Sequence, residues 1–185
     1  MNRVRRSAAR AFATRLAASA WRSALPLAAL LMTAGARAEG FATNDLTAIG
    51  DAASAVLGPG FVFRAEPRRV SLHCPECTGA AMIDILLGTQ DDGTEERVRS
   101  GVTTMAHMER LCRANNDGCR ITALDVAPAV GWVSRYPRPS GEGSTAVIIR
   151  DGQLLTLRVI ASDTSTSSEV MDRLLPLVRE KIIGR

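Results

Sequence analysis

The chain predicts one small α+β domain with a mostly antiparallel sheet and about three helices packed on it, behind a cleaved signal peptide. Three observations predict this. The first 38 residues have the composition of an export leader. The rest alternates short apolar runs with tight turns. Three further segments repeat their apolar residues at helical spacing, and hairpin connections outnumber crossovers.

The leader comes first. Arg3, Arg5, Arg6, Arg10, Arg15 and Arg22 form a basic region without acids, an apolar core runs over 24–32, and Ala36-Arg37-Ala38 supplies a small-x-small cleavage site. Cleavage is expected after Ala38, giving 1–38 as signal peptide and 39–185 as exported domain. The apolar core is short for a bilayer span, so no stable membrane anchor is expected. Removing the leader's seven arginines from the 23 basic residues leaves 16 against 19 acidic ones, a net charge of −3. The basic character of the whole chain therefore belongs to the leader, and nothing in the mature charge favours nucleic acid. Lys181 is the only lysine. That arginine bias fits a GC-rich bacterial genome, and export then means the periplasm.

Residues 43–57 are expected to form a helix, capped by Thr43, Asn44 or Asp45, with Leu46, Ile49, Ala53, Val56 and Leu57 on one face. Gly58-Pro59-Gly60 stops it. Strands are expected over 61–66 and 68–73, the second with Val70 and Leu72 on one face and Arg69, Ser71 and His73 on the other. Residues 81–87 are read as a strand, 88–94 as a hairpin connection and 95–99 as its polar return. Asp84, Asp91, Asp92, Glu95 and Glu96 are read as solvated acids of that hairpin.

A second helix is expected over 103–115, with Met105, Met108, Leu111 and Cys112 as its apolar stripe and Gly118 at its left-handed exit. A strand follows over 120–126. Residues 127–143 contain Pro128, Pro137 and Pro139 and are read as an irregular loop. Residues 145–150 and 154–160 make a hairpin about Asp151-Gly152. Thr166 and Glu169 have capping-box spacing for a last helix ending near Ile183, with Pro176 expected to kink it.

Chemistry concentrates at His73-Cys74-Pro75-Glu76-Cys77. Four cysteines in an oxidising compartment point to disulfides, and proximity favours Cys74 with Cys77 and Cys112 with Cys119. The second bond closes a short loop and is expected to stabilise by roughly 2–3 kcal/mol. Cys74 and Cys77 also admit two active readings. As a redox pair they need a low-pKa first thiolate, which a following helix N-terminus supplies. A strand followed by Cys-x-x-Cys and a helix is similar to thioredoxin-like proteins, but the segment after Cys77 carries Gly79 early and is read as a strand, and the aromatic-Cys-Gly-Pro-Cys loop is absent. As metal ligands, two thiolates plus His73 suit copper(I) or zinc, although a second Cys-x-x-Cys is missing.

His107 lies near Met105 and Met108, a conceivable copper set. Trp132, Arg135 and Tyr136 sit together in a chain poor in aromatics and are read as a partner-contact surface. Residues 140–144 resemble a small anion nest but precede a strand. No Gly-x-Ser-x-Gly elbow, His-Glu-x-x-His helix or Walker loop occurs. The leading expectation is a non-enzymatic, exported binding or accessory module, without cofactor, for a periplasmic protein or small ligand. The alternatives are a thiol–disulfide oxidoreductase and a copper or zinc carrier.

Overall fold

The structure, a computed structural model, describes residues 40–184 apart from Ala80, so the expected signal peptide lies outside the described residues. Seven strands form one sheet: β1 (Val62–Glu66), β2 (Arg69–His73), β3 (Met82–Thr89), β4 (Arg120–Ala123), β5 (Val130–Arg138), β6 (Gly141–Arg150) and β7 (Gln153–Ala161). Their order is β1-β2-β3-β7-β6-β5-β4, and every pairing is antiparallel. Four helices, α1 (Ile49–Leu57), α2 (Thr94–Arg99), α3 (Met105–Asn115) and α4 (Thr164–Val178), accompany it, followed by a π turn at Arg179–Ile183. The α+β class is as expected, with more helices than the three read from periodicity.

Strand side chains alternate between the two faces of a sheet. The registers therefore align Val70, Ile85, Leu157, Ala146 and Val133 across five strands, all buried. Leu72, Ile83 and Val159 form the neighbouring buried row. Against them α1 packs Ile49, Ala53 and Leu57, while α4 packs Val170, Met171, Leu174 and Val178. Each fully buried aliphatic side chain contributes about 1.5–3 kcal/mol, so this single layer supplies most of the stabilisation. Gly50 permits the close seating of α1, because a Cβ there would lie 2.4 Å from the Phe63 ring.

Several boundaries differ from expectation for local reasons. Helix α1 starts at Ile49 rather than Thr43. The Asp45 carboxylate instead accepts the Thr47 N–H at 2.7 Å, while Leu46 is buried and its N–H donates to the Pro67 carbonyl. Residues 95–99 are not a return strand but part of α2. Both edges of β3 are occupied, by β2 and β7, leaving no place for another strand. Asp92 accepts the Thr94 N–H at 2.9 Å, and Glu95 pairs with Arg99 one turn on at 2.6 Å.

Most of the expected loop over 127–143 is strand: β5 takes 130–138 and β6 starts at Gly141, leaving turns at 127–129 and 139–140, and the expected anion nest at 140–144 lies largely in β6. Pro137 is tolerated because β4 pairs no further along β5 than Arg135, so no ladder bond is lost beside it. Gly118 has no left-handed role: Asn116 caps α3, and Gly118 is required because a Cβ would lie 2.5 Å from the Pro137 ring. The Asp151-Gly152 turn is as expected, with φ of 50° and 77°. Helix α4 begins earlier than its expected box. Asp163 is the cap, accepting the Thr166 N–H at 2.7 Å and the Thr166 hydroxyl at 2.8 Å. The helix runs through Pro176 to Val178.

Candidate functional site

With α1 and α4 on one face, the opposite face of the sheet is the place where side chains from many strands meet solvent. The same alternation that buries Val70 and Leu72 turns Arg69, Ser71 and His73 outward. On β3 it turns out Met82, Asp84 and Leu86, and on β7 Thr156, Arg158 and Ile160. Val147 and Thr145 of β6, and Trp132 and Tyr136 of β5, continue the surface. Met82 is 56% exposed and Val62 48%, and Leu86, Trp132, Val147 and Ile160 are partly exposed. Among the described residues, neither α1 nor α4 packs across this face. Helix α2 reaches the end of the sheet, where Arg99 donates to the Pro128 carbonyl and Glu95 accepts the Gly152 N–H.

Asp84 lies at its centre and is only 3% exposed. One carboxylate oxygen accepts from Arg69 Nη2 at 2.8 Å, Arg69 Nε at 3.2 Å and the Ser71 hydroxyl at 2.8 Å. The other accepts from Arg158 Nη2 at 2.6 Å. Burial pushes the Asp84 carboxyl up, but the hydrogen bonds from Arg158, Arg69 and Ser71 outweigh it and hold the group below the ordinary carboxylate value. It is no solvated hairpin acid, as the sequence was read to imply. A carboxylate held by four donors from the two flanking strands is a cross-strand tie, three of the bonds falling on one oxygen and one on the other. Beside it, Arg64, Glu66, Arg69 and Ser71 line an open depression of about 360 Å³, bounded by the Arg64–Glu66 ion pair at 2.8 Å. Its mixed charges give it no strong bias of sign.

The cysteine motif lies at one end of β2. Cys74 and Cys77 are disulfide-bonded with Cα atoms 5.4 Å apart, and Cys74 is buried. The sulfurs seat against Gly60, where a Cβ would lie 3.1 Å from Cys74 Sγ. Strand β3, and not a helix, follows the motif, so no helix opens directly after Cys77 as the redox reading requires. His73 is exposed on the uncovered face, opposite Met82. In this oxidised state neither sulfur offers a thiolate to a metal. The described residues contain no group of three His, Cys, Asp or Glu side chains placed to hold an ion.

Cys112 and Cys119 form the second disulfide, with Cα atoms 5.8 Å apart. His107 is exposed, and its Nδ1 lies 3.2 Å from Arg110 Nη2. The structure divides the aromatic cluster. Trp132 and Tyr136 share the uncovered face, whereas Arg135 points to the helical layer, 3.6 Å from Asp172. Tyr136 lies over Gly143, where a Cβ would meet its ring at 2.4 Å. The Asp84 tie was missed from sequence. Its signal was present: a charged residue at the centre of an apolar strand, with Arg69, Ser71 and Arg158 at outward positions of the two strands beside it.

The chain matches no protein-family model, no curated protein and no solved structure.

Proposed function

We propose that this chain is an exported, disulfide-stabilised α+β module that binds a periplasmic partner protein through the uncovered face of its sheet and catalyses no reaction. One observation carries the reading. A seven-stranded sheet has its helices α1 and α4 on one side only, and presents Met82, Leu86, Trp132, Val147 and Ile160 on the other around the fixed Asp84 tie. Partly exposed apolar and aromatic side chains on a rigid scaffold favour protein contact. The described residues contain no helix long and apolar enough to cross a membrane.

The test is site-specific photocross-linking in the expressing bacterium. A photoreactive residue at Val147 is expected to give a discrete adduct, whereas one at Glu169 on α4 gives none. Adducts at neither position, or equal adducts at both, would refute the reading. The same purified protein is expected to show no more insulin reduction than a Cys74→Ser variant.

A further inference from the structure

Edge strands expose unpaired N–H and C=O groups and are commonly covered or charged. At one edge, β1 carries the exposed charges Arg64 and Glu66. At the other edge, β4 is closed differently. Its Ile121 N–H points away from β5 and donates to Glu109 Oε2 of α3 at 2.9 Å. Asn116, at the end of α3, donates from Nδ2 to the Pro137 carbonyl of β5 at 2.8 Å. Helix α3 is therefore the cover of this edge. It is a poorly anchored cover. None of its residues is fully buried or belongs to the main core, and Met105, Met108 and Cys112 on its inner side are only partly buried. Leu111 is 57% exposed, and Val102 just before the helix is 75% exposed. The covalent tie is Cys112–Cys119, which joins the inner side of α3 to the residue that opens β4; Cys119 itself is fully buried.

We propose that Cys112–Cys119 is a redox latch that holds α3 over the β4 edge, and that its reduction releases α3 and bares the Ile121 N–H while the rest of the sheet stays folded. The step is ordinary thiol–disulfide exchange with a dithiol reductant. One thiolate of the reductant attacks a sulfur of the bond, forming a mixed disulfide and releasing the other cysteine as a thiol. The second thiol of the reductant then closes its own disulfide and frees the remaining cysteine. Two electrons pass to the protein, and the reductant ends as a cyclic disulfide. Two features favour local over global release. The helical layer built from α1 and α4 contains no α3 residue, and the six ladders of the sheet do not depend on α3.

The test is residue-resolved amide exchange on the mature protein before and after treatment with dithiothreitol, with opened bonds identified by alkylation and peptide mapping. A Cys74→Ser/Cys77→Ser variant isolates the Cys112–Cys119 bond. If that variant does not fold, a Cys112→Ser/Cys119→Ser variant with Cys74–Cys77 intact replaces it. Opening the bond is expected to speed exchange at Ile121 by roughly 30- to 100-fold, the loop-closure effect expressed as a rate ratio. Exchange at Ile148 and Leu157 should be unchanged. An Ile121 amide that keeps its protection after the bond is open overturns the latch. So does loss of protection at Ile121, Ile148 and Leu157 together, because that is global unfolding.

Discussion

Replacing Asp84 by Asn keeps the side-chain volume and removes the charge that two arginines share. The amide offers one acceptor oxygen in place of two, and its NH2 group must face a guanidinium donor. Breaking a buried ion pair from one side costs about 3–5 kcal/mol when the surviving charge is buried. Here Arg69 and Arg158 are 54% and 43% exposed, so water solvates much of what they lose. The expected loss is therefore about 2–3 kcal/mol, chiefly the unmet hydrogen bonds at a nearly buried position. The assay is urea unfolding at pH 7 followed by far-UV circular dichroism, with the slope compared to confirm that only the midpoint moves. The sign of the pH dependence is fixed by the lowered folded-state pKa. The contribution is present above the unfolded carboxylate value near 3.9 and is lost as pH falls through the folded value. The gap between wild type and Asp84→Asn should thus close in strong acid. A variant within about 0.5 kcal/mol of wild type at pH 7 would refute the reasoning, since that is the scatter of ordinary surface substitutions.

Leu157 is fully buried on the central strand β7, so Leu157→Ala is expected to cost about 2–5 kcal/mol in the same urea assay. Gly141 has φ of +129°, and a Cβ there would lie 2.0 Å from the Ala161 carbonyl oxygen; Gly141→Ala should lower the melting temperature well beyond what Gly152→Ala does, since Gly152 has open space around it. Asp163 has its carboxyl lowered from 3.8 to about 2, first by the Ser165 hydroxyl and then by Thr166, so its cap on α4 is in force above about pH 4 and is lost as pH falls through about 2. Melting curves of wild type and Asp163→Ala should therefore converge between pH 4 and 2. On the proposed non-catalytic reading, Cys74→Ser is expected to leave no loss of activity to detect in an insulin-reduction assay but a lower melting temperature, as removal of a loop-closing bond predicts.

The alternating strands were the most legible part of the chain. Val70 and Leu72 against Arg69, Ser71 and His73 gave β2 and its faces directly, and Asp151-Gly152 gave the β6–β7 turn. Both disulfides followed from proximity in sequence. Misreadings arose where tertiary pairing overrode local signals. Residues 95–99 lacked strand partners, a fact visible only once β3 was flanked on both sides. Pro137 and Pro139 disguised β5 and its exit, because whether a proline harms a strand depends on which neighbour its missing N–H would have met. Arg135 was grouped with Trp132 and Tyr136 by closeness in sequence, yet strand alternation sends it to the other face. The Asp84 tie is assembled from β2, β3 and β7, with a sequence separation of 74 from Asp84 to Arg158, and no local pattern reports such a separation.

The most direct test of the account is carbene footprinting of the mature protein, alone and in periplasmic extract, with labelling read residue by residue. The account predicts that the extract protects Met82, Val147 and Trp132 while leaving exposed positions of α4 such as Glu169 and Asp172 unchanged. Protection confined to the helical layer, or no protection anywhere, would contradict it.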